Sequence, residues 1–257
     1  MKSLLISALI VGGVFVGAVD AEEQYWVAND LTKIVTSPGE SLFKYHSPWA
    51  WVGVTSLLFI VDQPVTHFYL KDIEPRVKQA QIEKVINDRN LFNFVYLLRQ
   101  LNIDLQDDQL TQLSYLGGQA LINSHFVAQS LKHVFGRARP VLTDSGPHDW
   151  GHLETDLFGP YTAFPSSHAT WYFSFFTIAG KVYGNELGAD LLGAAAYFSI
   201  VNHNHWSSDM WMGYLLGKAI GNYVWETGRN KPLAEQWFVF PVAMPGHLTG
   251  IACQKVL

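Results

Sequence analysis

Two cations in one short segment of this sequence could hold an anionic group. Lys132 and Arg139 are seven residues apart in the segment 132–140, which reads KHVFGRARP. On a helix, this spacing puts both side chains on nearly the same face, two turns apart. Arginine binds phosphate oxygens through two parallel hydrogen bonds, and lysine supplies a point charge. The alternative is a basic helix C-terminus, in which the cations only complement the helix dipole.

The segment 163–171, AFPSSHATW, places two serines and His168 directly before a run of aromatic and apolar residues. A serine just ahead of a helix is a common cap, because its oxygen accepts a hydrogen bond from an unpaired backbone N–H. The same N–H groups, together with the helix dipole, form an anion site. We therefore interpret Ser166 and Ser167 as belonging both to a helix cap and to a phosphate-binding turn.

A histidine and a carboxylate are four residues apart in the segment 202–209, which reads NHNHWSSD. The spacing allows Asp209 to hold one imidazole nitrogen of His205, so that the other nitrogen presents its lone pair as a nucleophile or base. His203 has no carboxylate at the corresponding distance. Alone, the pair is also compatible with an ordinary hydrogen bond at the start of a helix.

Taken in order, the three segments resemble the motifs of the type 2 phosphatidic acid phosphatase superfamily. The pattern is a Lys, six residues and Arg-Pro, then Pro-Ser-x-His, then His-x-x-x-Asp, and the resemblance covers roughly residues 110–225. The superfamily includes class A acid phosphatases and vanadium haloperoxidases. The resemblance implies an all-α helical bundle and a reaction that needs no metal or other cofactor.

The resemblance also implies a role for each matched residue. His205 would take the phosphoryl group as phosphohistidine, and Asp209 would orient it. His168 would protonate the leaving oxygen and later activate water. The residues that would cradle the phosphate oxygens are Lys132, Arg139, Ser166 and the backbone N–H of Ser167. These residue types suit phosphoryl transfer, which depends mainly on positioning and on neutralising charge.

Two positions depart from the motifs of the superfamily. Ser167 replaces a usual glycine, and because serine resists positive φ we expect a tighter or differently shaped turn. The third motif usually carries Ser-Arg before the histidine, where this chain has Phe198 and Ser199. Losing one charged contact to phosphate weakens transition-state binding by ~2–4 kcal/mol. Arg137 and Arg229 are the candidates to replace the missing guanidinium.

A histidine-rich loop and an aromatic cluster are two further candidate sites. His148, His152, Glu154 and Asp156 lie in the Gly- and Pro-rich segment 142–160, where a zinc site and a solvated loop facing the substrate are the alternatives. We favour the loop and predict no metal site. The aromatic residues that follow the second motif are interpreted as core packing, with a wall for an acyl or prenyl chain as the alternative. They are Trp171, Tyr172, Phe173, Phe175 and Phe176.

Helices must position these residues, because the apolar stretches between the motifs are long and helical in pattern. Apolar stretches occur near 47–61, 91–103, 110–135, 168–183, 187–202 and 209–225. Pro140 is expected to close the third of them. None reaches the ~18 uninterrupted apolar residues that indicate a membrane-spanning helix. The fold class predicted is all-α, a helical bundle with an irregular or extended C-terminal tail from residue 236.

Composition and the N-terminus bear on location and partners. The net charge of −5 gives no support for nucleic-acid binding, and Cys253 as the single cysteine excludes an intrachain disulfide. Aromatic residues make up 14% of the chain, as is common where a protein surface meets lipid. Residues 1–21 have the pattern of a signal peptide, with an uncleaved membrane anchor as the alternative. Residues 22–257 would form one domain, exported to the periplasm or to the cell-envelope membrane with its active site on the periplasmic side.

The function predicted from these features is hydrolysis of a phosphomonoester or pyrophosphate, carried by a lipid, through a phosphohistidine. The expected partners are therefore a phosphorylated lipid or small phosphomonoester and a membrane. One alternative is a soluble periplasmic acid phosphatase for small phosphomonoesters. A haloperoxidase that holds vanadate is a more distant one. The last alternative is a non-catalytic member of the superfamily. It is favoured because Ser199 stands where the third motif usually has arginine.

Overall fold

The computed structural model describes residues 53–73, 107–140, 146–153, 159–200, 205–230, 237–244 and 247–255, with single positions between 75 and 98. Its helices are α1 (Thr55–Phe68), α2 (Asp108–Phe135), α3 (Ser167–Val182), α4 (Glu186–Ile200) and α5 (Ser207–Gly228). A π-helical turn, Tyr69–Ile73, continues α1. The all-α core predicted from the sequence is confirmed. The segment 1–21, interpreted as a leader, lies outside the described residues.

Local interactions determine where helix α2 begins and ends. Asp107 caps its start by accepting a hydrogen bond of 2.7 Å from the backbone N–H of Leu110. It ends at Phe135 because Gly136 adopts a left-handed conformation with φ 53°. A Cβ on Gly136 would lie 1.9 Å from the carbonyl oxygen of His152, so no other residue fits. The helix therefore ends before Pro140, which was predicted to close it.

The early end of α2 corrects the predicted geometry of the two cations. Lys132 lies in the last turn of the helix, whereas Arg139 lies beyond Gly136 in a segment without helical structure. The shared helical face predicted for them was wrong. Their side chains come together through tertiary structure instead, because both bind Thr162.

Helices α3 and α5 approach closely because α5 presents glycine every fourth residue toward α3. A Cβ at Gly213 would lie 2.6 Å from the carbonyl oxygen of Ser166, and one at Gly217 would lie 2.6 Å from that of Thr170. Gly221 continues this row, with a Cβ 2.7 Å from that of Thr177. This close packing fixes the start of α3 beside the start of α5, where the second and third motifs lie.

The core is formed where α3 packs against α2, α4 and α5. Buried aromatic side chains of α3 fill its centre, as the packing interpretation of that cluster predicted. They are Trp171, Tyr172, Phe173 and Phe175. Helix α2 adds Leu116, Ala120 and Val127, whereas Val134 near its C-terminus is 73% exposed.

The C-terminal tail is more regular than predicted. Strands β1 (Trp237–Met244) and β2 (His247–Lys255) pair antiparallel, with an irregularity between Val242 and Ala243. Strand β1 lies against α2. The prediction of an irregular tail is therefore wrong over these residues, whereas the alternative prediction of extended structure is correct.

Among the described helices, none is both long enough and apolar enough to cross a membrane.

Candidate active site

The second motif forms the N-terminus of α3. Ser166 is the N-cap, and its Oγ accepts a hydrogen bond of 3.4 Å from the backbone N–H of Ala169. The backbone N–H of Ser166 donates to the carbonyl oxygen of Asp209 over 3.0 Å, which ties the second motif to the third. The predicted helix cap is therefore confirmed.

Ser167 is the first residue of α3, in a helical conformation that serine adopts without strain. The tighter turn expected from the change of glycine to serine is therefore not required. Its side chain is buried, and its Oγ has no hydrogen-bond partner within the described part of the chain. A buried hydroxyl without a partner is costly, so an oxyanion acceptor at this helix terminus would satisfy it.

Lys132 is buried at the end of α2 beside this turn. Its Nζ donates to the carbonyl oxygen of Thr162 and, over 3.5 Å, to that of Ala163. Burial and the neighbouring Arg139 hold the pKa of Lys132 well below its ordinary value. An ammonium that is buried against carbonyl oxygens is stabilised when an anion binds next to it.

Arg139 meets Lys132 at Thr162. Its Nη2 donates to Oγ1 of Thr162 over 2.8 Å, and its Nε donates to the carbonyl oxygen of Gly159 over 3.1 Å. Burial lowers the pKa of Arg139, and Asp209 opposes that effect. The loop 159–163 thus brings together the two cations that the sequence placed on one helix.

The imidazole of His205 is held by a backbone carbonyl. Nδ1 lies 2.7 Å from the carbonyl oxygen of Ala163, and 3.7 Å from Oδ2 of Asp209. Because a carbonyl only accepts, Nδ1 carries the proton and Nε2 keeps its lone pair. Asp209 therefore does not hold this ring by the direct hydrogen bond that the sequence spacing predicted.

Burial lowers the pKa of His205 to about 3; Asp209 opposes this effect, and Lys132 and Arg139 lower the pKa further. The ring is therefore neutral near pH 7. A neutral imidazole with a fixed tautomer is a competent nucleophile.

Asp209 is buried, and Arg137 and the start of α5 hold its carboxylate. Oδ2 accepts a hydrogen bond of 2.8 Å from the backbone N–H of Trp206, and Oδ1 pairs with Nη1 of Arg137 at 2.5 Å. Burial by itself would raise the pKa of Asp209, but Arg137 and the contact with His205 lower it overall. The carboxylate thus fixes the backbone next to His205.

Neither candidate for the missing third-motif cation replaces it. Arg137 is fully buried and pairs with Asp62 and Asp209, so its guanidinium is not available to a phosphate. Arg229 is exposed just after the C-terminus of α5, about 30 Å along that helix from the site. Ser199 lies in the last turn of α4, and the structure does not describe its side chain or His203.

His168 lies in the first turn of α3 and is partly buried. Its ring centroid is 5.1 Å from that of Trp171, which in turn is 5.5 Å from that of His125 on α2. His168 and His205 both lie near the N-terminus of α3, since His168 is in its first turn and His205 contacts Ala163 just ahead of it.

Of the loop residues weighed as metal ligands, the structure describes His148 and His152. Nε2 of His152 is 2.5 Å from Oδ1 of Asp149, and its ring stacks on Tyr161 with centroids 3.9 Å apart. Over the described ranges, no group of three or more His, Cys, Asp or Glu residues is arranged to hold a metal ion. Glu154 and Asp156 lie outside those ranges.

Asp62 belongs to the site's surroundings, and the sequence reasoning missed it. This residue of α1 is fully buried and binds both Arg137 and the first turn of α5. The signal was present, because Asp62 is the single charged residue in the segment 47–66. Intrahelical acids of that kind are costly unless paired.

Comparison with known families gives one match. The model of the PAP2 superfamily matches residues 113–232, a segment that contains all the matched site residues. Residues 113–232 belong to the PAP2 superfamily. Members of this superfamily are generally phosphatases or phosphoesterases, and the match supports a hydrolase. No curated protein and no solved structure gives a significant match to the chain.

Proposed function

We propose that this PAP2 chain hydrolyses a phosphomonoester or pyrophosphate, carried by a lipid, through a phosphohistidine on His205 and without a metal. The observation that carries the proposal is the pairing of a neutral His205, whose Nδ1 is occupied, with the buried cation Lys132 beside the N-terminus of α3. This arrangement suits an oxyanion centred in front of Nε2.

The reaction proceeds in two displacements. Nε2 of His205 attacks phosphorus, the P–O bond to the leaving group breaks, and His168 donates a proton to the departing oxygen. Water then attacks the phosphohistidine, the P–N bond breaks, and His168 takes a proton from that water. Lys132, Arg139 and the N–H groups at Ser167 neutralise the charge on the phosphoryl oxygens in both steps.

The outer face of α1 supports the membrane-associated part of the proposal. The residues that α1 buries are Thr55, Asp62 and Thr66, whereas Ile60 is 75% exposed and Leu57 58% exposed. A helix that is polar inside and apolar outside has its apolar face available to lipid. We propose that this face lies on the membrane that carries the substrate, on the exported side.

A non-catalytic phosphate-binding protein is the second candidate, and the commitment of Arg137 to Asp62 and Asp209 favours it. The cradle then has one guanidinium fewer than the superfamily motif. A loss of this kind costs ~2–4 kcal/mol of transition-state stabilisation and slows turnover by about 10²–10³-fold.

An activity and trapping experiment separates these functions. The purified chain is assayed on phosphatidic acid, a prenyl pyrophosphate and p-nitrophenyl phosphate, with and without detergent and EDTA. We expect hydrolysis that EDTA does not affect, and a trapped phosphoenzyme that is stable to base and labile to acid. His205→Ala should abolish both, whereas His203→Ala should retain activity. Vanadate binding without turnover would instead identify the non-catalytic protein, and activity restored only by zinc would identify a metal site.

A further inference from the structure

We propose that Asp62 is a positioning residue for His205, acting through Arg137 and the first turn of α5. The inference rests on the proposed function. It extends the functional unit to α1, which lies outside the matched segment 113–232.

Both carboxylate oxygens of Asp62 are used to hold the N-terminus of another helix. Oδ1 accepts hydrogen bonds from Oγ of Ser207 at 2.6 Å and from the backbone N–H of Ser208 at 2.7 Å. Oδ2 accepts from Oγ of Ser208 and from Nη2 of Arg137, the latter at 2.6 Å. The first N–H groups of a helix need such acceptors, and a negative charge there also complements the helix dipole. Asp62 therefore caps α5 from a distance of 145 residues in sequence.

Arg137 links this cap to the third motif. Its guanidinium donates to Asp62, to Oγ of Ser208 at 2.7 Å and to Asp209. The carbonyl oxygen of Pro147 accepts from its Nε at 3.0 Å and from its Nη2 at 2.7 Å. The position is further fixed by three rings, with the Cζ of Arg137 5.1 Å, 4.5 Å and 5.7 Å from the ring centroids of Phe59, Trp150 and Trp206.

His205 immediately precedes the turn that these contacts hold. Asp209 binds Arg137 on one side and the backbone N–H of Trp206 on the other. Loss of the Asp62 carboxylate leaves the buried Arg137 with Asp209 as its remaining acidic partner. It also removes the hydrogen bonds that hold Ser207 and Ser208. A displacement of the nucleophile by about 1 Å is sufficient to cost 10²-fold in rate. Asp62 thus acts on His205 while none of its hydrogen bonds is to the groups assigned to the phosphate cradle.

The test is Asp62→Asn in the full chain, which preserves the side-chain shape and removes the charge. We expect kcat and the rate of phosphoenzyme formation to fall by about 100-fold, with KM and vanadate affinity within threefold of the wild type. Asp62→Glu keeps the charge and should recover part of kcat. In spectra of ¹⁵N-histidine-labelled protein, the Nδ1–H signal of His205, assigned by its loss in His205→Ala, should shift or broaden in Asp62→Asn.

Asp190→Asn is the matched control. Asp190 pairs with Lys218 at 2.8 Å, and this ion pair ties α4 to a later turn of the same helix α5. Loss of this ion pair in Asp190→Asn should lower the Tm without changing kcat by more than twofold. A purely structural role for Asp62 would give the same pattern as this control, with kcat unchanged in the folded fraction.

The outcomes are distinguishable. If the wild type forms no phosphoenzyme, the proposed function is wrong, and an unchanged His205 signal in Asp62→Asn would also overturn the positioning role. If the wild type is active and folded Asp62→Asn keeps kcat within threefold, the positioning role alone is wrong. Should Asp62→Asn fail to fold, Ser208→Ala decides, because it removes one contact each to Asp62 and Arg137. Wild-type kcat in folded Ser208→Ala would then overturn the inference.

Discussion

At the scale of single residues, the site depends on how buried polar groups share their partners. The carbonyl oxygen of Ala163 contacts both Nδ1 of His205 and Nζ of Lys132. The proposed nucleophile and a proposed phosphate-binding cation thus share one backbone acceptor. This atom lies just ahead of the turn that begins α3, so a change in that loop would affect both groups together.

The cradle predicts a loss of anion affinity in two variants. Replacing Lys132 or Arg139 with Met should raise the inhibition constant for vanadate by about 10-fold or more, since each charged contact contributes several kcal/mol to oxyanion binding. The helical content measured by circular dichroism should stay the same. Unchanged vanadate inhibition in both variants would place the anion site elsewhere. Lys181→Met is the control, because Lys181 pairs with Glu186 beyond the far end of α3.

His205 should remain neutral over a wide range of acidic pH. Its pKa in the folded chain is about 3, against 6.5 for an ordinary histidine. Between these values the unfolded chain binds one more proton at this position than the folded chain. This group therefore makes the folded state less stable as the pH falls from 6.5 toward 3. We expect its ¹⁵N signals to show no titration between pH 8 and 5, and a midpoint near 6.5 would contradict the buried site.

At the scale of elements, the contact between α3 and α5 decides whether the motifs meet. The glycine row of α5 allows the backbone of α3 to approach, and the bond from Ser166 to the carbonyl oxygen of Asp209 closes the same interface at the site. Wider separation of these two helices would draw His168 and Ser167 away from His205.

Gly217→Ala tests this interface. The added Cβ would lie 2.6 Å from the carbonyl oxygen of Thr170, and backbone atoms cannot move aside cheaply. Overpacking of this kind costs about 1–3 kcal/mol, which exceeds the gain of about 1 kcal/mol from replacing glycine in a helix. Urea denaturation should show a lower free energy of unfolding. Gly193→Ala on α4 is the control, since the atoms nearest its Cβ belong to the side chain of Phe176, at 3.2 Å, and not to the backbone, and it should be neutral or stabilising.

At the scale of the whole molecule, α1 and α4 each expose an apolar face within the described part of the chain. One belongs to α1, where Phe68 joins Leu57 and Ile60, and α1 contacts the start of α5 through Asp62. The other lies near the start of α4. It consists of Leu187, Leu191 and Leu192. Since α4 leads toward the third motif, its first turns are at the end remote from the site.

The face of α1 predicts a substrate-dependent effect. Changing Leu57, Ile60 and Phe68 to Gln should reduce hydrolysis of phosphatidic acid in vesicles by at least 10-fold, because a single buried apolar side chain already contributes about 1.5–3 kcal/mol to lipid contact. Hydrolysis of p-nitrophenyl phosphate should not change. The same changes at Leu187, Leu191 and Leu192 should leave both activities intact. Equal loss on both substrates would show that the α1 residues serve folding rather than lipid contact.

The sequence by itself determined the parts of this protein that depend on local pattern. The apolar period located α2 to α5 within a few residues, and the serine before an aromatic run indicated the cap of α3. The order of the three motifs identified the superfamily and selected Lys132 and His205, which the structure brings to the carbonyl oxygen of Ala163. The boundary of α2 was wrong because a proline was preferred to Gly136, whose left-handed φ and contact with His152 end the helix.

Only the tertiary structure decided which partner each buried charge has. Asp62 and Ser207 are 145 residues apart, and Arg137 and Asp209 are 72 apart, so no local spacing relates them. The four-residue spacing of His205 and Asp209 suggested a direct hydrogen bond, yet the nearer acceptor is the carbonyl oxygen of Ala163. A buried charge takes the partner that the folded chain brings within reach. That partner is set by how the helices pack.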